Sequence, residues 1–300
     1  MSFTAIAAQI APDARLVRSW PLKGGVSAHV EALELEHPDG RLERVVVRRH
    51  GAAEWKPLLD DVTTAEHGVL SALQTEGLPV PGLRLLDASN TLLPTPYLVM
   101  DFVEGTIEVP DGPPDTVIEQ MASFLLRLHG LDVATLALPR LEHRHDPVPE
   151  LLEWLGPDRS LLRAQLDAQW SGPRSYQPSL LHGDYWSGNV LWKDEVLISV
   201  IDWEDAAVGD PLSDLACSRI EFLWKHGRDA MERFTLAYGG TPDALALGLW
   251  DLYVGTSAAI TMGEWGLEPD VEATMRARTV TFLNEAEARV LDAFQKRTVT

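Results

Sequence analysis

Cysteine is nearly missing from this sequence: Cys217 is the single one among 300 residues. One thiol closes no intramolecular disulfide and builds no thiolate metal site, so a reducing, cytoplasmic location is expected. Basic residues are also scarce, with 25 Lys and Arg against 45 Asp and Glu, for a net charge of −20. A field of that sign repels polyanions, so nucleic acid is not expected as a partner. The excess acid serves either solubility or the attraction of cationic solutes. Long apolar runs are wanting too. The run Ala5 to Ala8 has no Lys or Arg before it and is cut short by Gln9, Asp13 and Arg15, which is not the pattern of a signal peptide. No stretch reads as the roughly 18 to 20 apolar residues that span a bilayer, so no membrane partner is expected. Repeats and low-complexity tracts are absent as well.

What is present is a globular composition, 45% hydrophobic and 23% charged, long enough for two lobes or two tightly packed domains. Between Val26 and Arg49 the residues Val30 to Glu36 partly alternate, His37-Pro38-Asp39-Gly40 reads as a turn, and Val45-Val46-Val47 follows, which predicts an antiparallel hairpin. A helix is expected from about Asp60 to Thr75, with Val62, Glu66, Val69, Leu70 and Leu73 on one stripe, so Glu66 lies on the apolar side. A strand over Tyr97 to Phe102 precedes the Pro-rich, acidic stretch from Val109 to Asp115. That shift marks a lobe boundary. Beyond it the pattern is mainly helical: about 116–129, 149–154, 161–169, and several helices from Leu212 onward. The strong strand signals there are Val190 to Trp192 and Leu197 to Ile201, either side of Lys193-Asp194-Glu195. Sheet-rich first and helix-rich afterwards is an α+β arrangement.

The densest polar chemistry is His182-Gly183-Asp184-Tyr185-Trp186-Ser187-Gly188-Asn189, with Asp202 thirteen residues on. A hairpin over 190–201 brings Asn189 and Asp202 to one end, and one oxygen from each makes a plausible half-shell for Mg²⁺. Asp184, in the preceding loop, is an acceptor-only carboxylate suited to orient a hydroxyl and take its proton. Taken singly, each residue has a plainer explanation: an Asp caps a helix, Gly-Asn closes a turn, a His is merely hydrogen-bonded. The ordered set, with strands where the chemistry needs them, favours a site.

His182-x-Asp184-x4-Asn189 followed by Ile201-Asp202-Trp203-Glu204 resembles the aminoglycoside phosphotransferase and choline kinase-like family. The stretch Gly209-Asp210-Pro211-Leu212-Ser213-Asp214-Leu215-Ala216 is also similar to that family. The resemblance implies a bilobal protein-kinase-like fold, with an N-terminal nucleotide-binding lobe over 1–101, a hinge and linker over 102–115, and a larger, mainly helical C-terminal lobe over 116–300 that is catalytic and binds substrate. It implies Asp184 as the catalytic base, Asn189 and Asp202 as Mg²⁺ ligands, ATP or GTP as phosphoryl donor, and His182 and Asp214 as loop-bracing residues. A kinase fold also needs a phosphate-binding cation held by a helix carboxylate. Glu66 is the expected carboxylate. Arg48 and Arg49 both end the strand, strand alternation does not choose between them, and the resemblance favours Arg48. Gly25 and Ser27, in Leu22-Lys23-Gly24-Gly25-Val26-Ser27-Ala28, are expected in a short phosphate-covering loop. By analogy with the family's hinge, the Asp101 carbonyl and the Val103 amide would bind the base edge.

Seven residues separate Asp202 from Asp210, too few for a peptide-binding activation segment, so a small acceptor is expected. Glu204, Asp251, Glu264, Trp265 and Glu268 are candidates to contact a cationic acceptor, although solvated helix faces explain acidic residues equally well. The ten Trp could instead wall a macrolide, a sugar or a quaternary amine. Rival functions are a kinase for choline, homoserine or fructosamine, a nucleotide-binding pseudokinase, and a metal-dependent hydrolase built from His182, Asp184, Asp202, Glu204 and Asp205.

Overall fold

The turn at His37 to Gly40 organises the first sheet: Gly40 takes φ +83°, and its amide donates to the His37 carbonyl at 2.9 Å. In the computed structural model, which describes residues 3–22, 28–50, 62–109, 115–172 and 175–299, the strands on either side of that turn pair in register. The elements up to residue 101 are α1 (Phe3–Ile10), β1 (Arg15–Pro21), β2 (Ala28–Glu36), β3 (Leu42–His50), α2 (Val62–Thr75), β4 (Leu83–Asp87) and β5 (Tyr97–Asp101). There follow α3 (Asp115–His129), β6 (Glu142–Arg144), α4 (Val148–Trp154), α5 (Ser160–Gln169), β7 (Ser179–Leu181), β8 (Val190–Lys193), β9 (Val196–Val200) and β10 (Ala207–Gly209). The chain ends with α6 (Leu212–His226), α7 (Arg228–Ala237), α8 (Ala244–Thr261) and α9 (Pro269–Val299). The protein is α+β, as its sequence pattern predicts.

Two compact units share the chain: residues 1–107, 134–142 and 189–206 form one, and 108–133, 143–188 and 207–300 form the other. The first crossing from one unit to the other falls between Ile107 and Glu108. In the first unit an antiparallel sheet runs in the order β1-β2-β3-β5-β4. Leu33, Leu35, Val45, Val47 and Val99 pack with Ile6 and Ala7 of α1 to form its core. Because side chains alternate along a strand, Arg48 and His50 share the face opposite Val47. Helix α2 packs on β3, β4 and β5. The hairpin β8–β9 turns through Asp194 and Glu195, both at positive φ, the geometry a two-residue hairpin loop demands. The Val200 amide donates to the Pro79 carbonyl at 2.8 Å, tying that hairpin to the same unit.

The second unit is built from helices around Val148, Leu151, Leu162, Leu166, Leu249, Leu252, Val290 and Phe294. Gly248 lets α8 lie close to α9, since a Cβ there would meet Val290 Cγ2 at 2.7 Å. The segment Ala244–Glu264 is long and apolar enough to cross a membrane by length and composition, which corrects the expectation that no stretch qualifies. It is 61% buried inside the protein, which is what a packed core helix shows. Elements the pattern did not announce are α1, β1, β4 and the short β6, β7 and β10. Three residues are too few to display a period of two, and β1 is an edge strand with most side chains exposed.

Candidate functional site

At the open end of the β8–β9 hairpin the Ile201 amide donates to the Asn189 carbonyl at 2.9 Å. That bond sets Asn189, just before β8, beside Asp202, just after β9. Asp202 has φ +70°, a left-handed conformation that non-glycine residues adopt at some cost and that is over-represented at functional sites. The Arg48 guanidinium donates to Asp202 Oδ1 through Nη2, and the same Nη2 lies 3.0 Å from Glu204 Oε2. Arg48 Nε is 3.2 Å from Glu66 Oε2 on α2, although its N–H is not aimed along that contact and makes no hydrogen bond. His50 Nε2 stands 2.8 Å from the same Glu66 oxygen, and His50 Nδ1 3.0 Å from the same Glu204 oxygen.

Two cationic side chains thus face three carboxylates in a buried cluster within the first unit. Burial acts against every charge there, and the partners decide the outcome. Burial would raise the Glu66 carboxyl, but Arg48 and then His50 hold it below the usual range. For Asp202 burial wins, and its carboxyl is raised despite Arg48, with Glu204 and Glu66 pushing the same way. Burial would lower Arg48, yet Glu66, Asp202 and Glu204 raise it. His50 behaves likewise: burial is outweighed by hydrogen bonds to Glu204 and Glu66, and the imidazole is pushed up to about 9.

In the second unit the loop after β7 is held by its backbone. Asp214, at 0% exposure on α6, accepts from the His182 amide at 2.7 Å and the Gly183 amide at 2.9 Å. His129 Nε2 lies 3.2 Å from the same carboxylate and its Nδ1 is 2.7 Å from the Tyr238 hydroxyl. Gly183 sits at φ +91°, where a side chain would be strained. His182 Nδ1 accepts from the Asp184 amide at 3.2 Å, so its proton is on Nε2. Asp210 caps α6 by accepting from the Leu212 amide at 3.0 Å, which is why the Gly209 to Ala216 stretch starts a helix and delivers Asp214 to the loop. Asp184 itself is part-exposed.

Residues 21–247 match the family model described as a phosphotransferase enzyme family. This chain belongs to that family. Among solved structures, a macrolide 2'-phosphotransferase, MphH, from Brachybacterium faecium is 20% identical with a TM-score of 0.59, covering 92% of this chain and 97% of that one. APH(2")-IIIa, in its GDP and kanamycin complex, is 17% identical with a TM-score of 0.62, over 99% of this chain and 98% of that one. These two share the fold. A thiamine kinase from Shigella boydii is 29% identical over 167 residues, 54% of each chain. Acyl-CoA dehydrogenase family member 10 of mouse is 26% identical over 175 residues, 52% of this chain but only 16% of that protein.

The remaining expected residues lie as follows. Asp101 ends β5, with its amide bonded to the Gly82 carbonyl at 2.7 Å, and Val103 follows in the half-buried chain outside any strand or helix. Gly25 and Ser27 lie outside the described residues. Arg49 lines a cavity with Phe3, His29 and Val47, on the face away from the cluster that holds Arg48. Asp251 is corrected to a structural residue: at 0% exposure it accepts from Arg219 Nε at 3.1 Å and Arg289 Nη1 at 2.8 Å, so no solute reaches it. Glu204 is half-buried, with its Oε2 engaged by Arg48 and His50. Glu264, Trp265 and Glu268 are exposed around the turn from α8 to α9, with Trp265 edge-on to Trp224. His50 was missed, though its place two residues beyond Arg48 put it on the same strand face.

A carboxylate and an amide carbonyl, the oxygen donors that Asp202 and Asn189 offer at this hairpin end, are of the type Mg²⁺ accepts, a hard ion that takes few protein ligands and fills its octahedron with water and phosphate oxygens.

Proposed function

We propose that this chain is a small-molecule kinase, transferring the γ-phosphoryl group of ATP or GTP to a hydroxyl of a small acceptor. The observation that carries this is the hydrogen bond from Ile201 to Asn189, which sets Asn189 beside Asp202 at the hairpin end with Arg48 on Asp202. Asn189 and Asp202 would hold Mg²⁺, which when bound offsets the charge of the transferring phosphoryl group. Arg48 grips phosphate oxygens, a task its planar fork suits, while Glu66 steadies it. The Asp101 carbonyl and the Val103 amide would bind the base edge. Asp184 accepts the proton of the acceptor hydroxyl as its oxygen attacks phosphorus and the bond to the nucleoside diphosphate breaks. Asp214, His129 and His182 hold the Asp184 loop in shape. A nucleotide donor suits a cytoplasmic enzyme.

A small acceptor is favoured because β10 fills 207–209, right where a peptide-binding segment would need length. The names of similar proteins suggest where to look: thiamine, a macrolide, or an aminoglycoside such as kanamycin. The decisive assay follows ADP and GDP release over such acceptors, with choline, homoserine and fructosamines included. Asp184→Asn should lower turnover by about 10²- to 10⁴-fold and leave nucleotide affinity within about twofold of the parent. Turnover unchanged in that variant would overturn the assignment.

A further inference from the structure

His50 has no part in the reaction proposed above, yet it is 6% exposed at the end of β3 and lies among charged groups. Its Nε2 is 2.8 Å from Glu66 Oε2 and its Nδ1 is 3.0 Å from Glu204 Oε2. An ionised carboxylate only accepts hydrogen bonds, so a ring flanked by one at each nitrogen donates from both and is an imidazolium. Each of those two oxygens is also shared with Arg48, at 3.2 Å from Nε and 3.0 Å from Nη2. Arg48, Glu66, His50 and Glu204 therefore form a closed ring of alternating charge, linking β3, α2 and the segment after β9, with Asp202 attached at Arg48.

We propose that His50 is a positioning residue of the nucleotide site: it holds Glu66 and Glu204 by the oxygens they share with Arg48, and so keeps the guanidinium oriented and electrostatically free to meet a triphosphate. With His50 charged, the cluster carries two cations against three carboxylates, a net −1. Without that charge it is −2, and Arg48 alone answers all three acids. An incoming polyanion then meets stronger repulsion and a guanidinium already spoken for. This rests on the kinase function proposed above, and charge compensation separates the two.

The experiment titrates the full chain with mant-ATP and mant-GTP in the presence of Mg²⁺, so no acceptor is needed. H50Q should weaken binding about tenfold or more, as loss of one partner of a buried charge pair does. H50K, which restores a cation with donors for both carboxylates, should bind within about threefold of the parent. The double variant H50Q/E204Q returns the cluster to a net −1 and should also recover to within about threefold, although it has lost two native side chains. H50Q binding as tightly as the parent overturns the proposal, and so does a double variant no better than H50Q, which would mean His50 merely packs. Should thermal melting show that H50Q does not fold, H50K and the double variant decide: affinity near the parent's supports the role, and a tenfold loss in both ends it. A parent that binds neither nucleotide overturns the kinase function itself.

Discussion

Each unit buries a charged cluster, and the two are balanced in opposite ways. In the second unit one carboxylate, Asp251, lies under two guanidinium groups, and Arg219 is further satisfied by the Thr235 hydroxyl. In the first, Arg48 and His50 face Glu66, Asp202 and Glu204, the acids are in excess, and the Asp202 carboxyl is raised by burial first and then by the neighbouring Glu204 and Glu66, despite Arg48. A saturated cluster has nothing left to offer a solute and serves to fix helices α6, α8 and α9 together. A cluster with surplus acid is held at a cost to stability, and folds retain such a cost where another charged species is to be received. Burial alone does not distinguish a structural carboxylate from a functional one; the charge balance around it does.

The sharpest way to break this contrast is Asp251→Ala. Removing the shared acceptor strands two guanidinium groups, one of them nearly buried, and should cost about 3–5 kcal/mol in a denaturant titration. A loss below about 1 kcal/mol would mean that the second cluster is not structural. Next in size is Glu221→Gln on α6. Burial and then the neighbouring Asp184 charge push the Glu221 carboxyl up to about 8, well above its value in an unfolded chain. The folded state therefore holds that proton more tightly, and stability falls as pH rises from about 4.5 to about 8. The Gln variant should melt higher than the parent at pH 8.5, by on the order of 1 kcal/mol after allowing for solvent screening, and like it at pH 5. Equal melting at both pH values would remove Glu221 from the surroundings of Asp184. Smallest is Glu264→Gln at the exposed α8–α9 turn, expected within about 0.5 kcal/mol of the parent in stability. A raised KM for an acceptor with an unchanged KM for the nucleotide would make that turn an acceptor contact.

Much of the first cluster is legible in the sequence. Glu66 interrupts an apolar helix stripe, which requires a cation beside it, and Arg48 stands 3.2 Å away. The Lys193-Asp194-Glu195 turn between two apolar runs was enough to pair Asn189 with Asp202. What escaped was whatever depended on segments distant in sequence. The partners of His50 lie 16 residues onward in α2 and more than 150 residues onward after β9, so no local pattern marks it. Asp251 misled for the converse reason. An acid beside Trp250 on a helix looks like a solvent-facing group, and only the packing of α8 between α6 and α9 shows that this helix is enclosed on several sides.

By itself the sequence determined the α+β order of elements, the loop from His182 to Asn189, the hairpin behind it and the family to which they belong. These follow from local periodicity, turn chemistry and spacing, which need only neighbours along the chain. Tertiary structure alone decided which acids are spent on structure and which remain in surplus, and that His50 stands between Glu66 and Glu204. A buried group's charge is set by partners that folding brings within 3 or 4 Å, and those partners are far away in sequence.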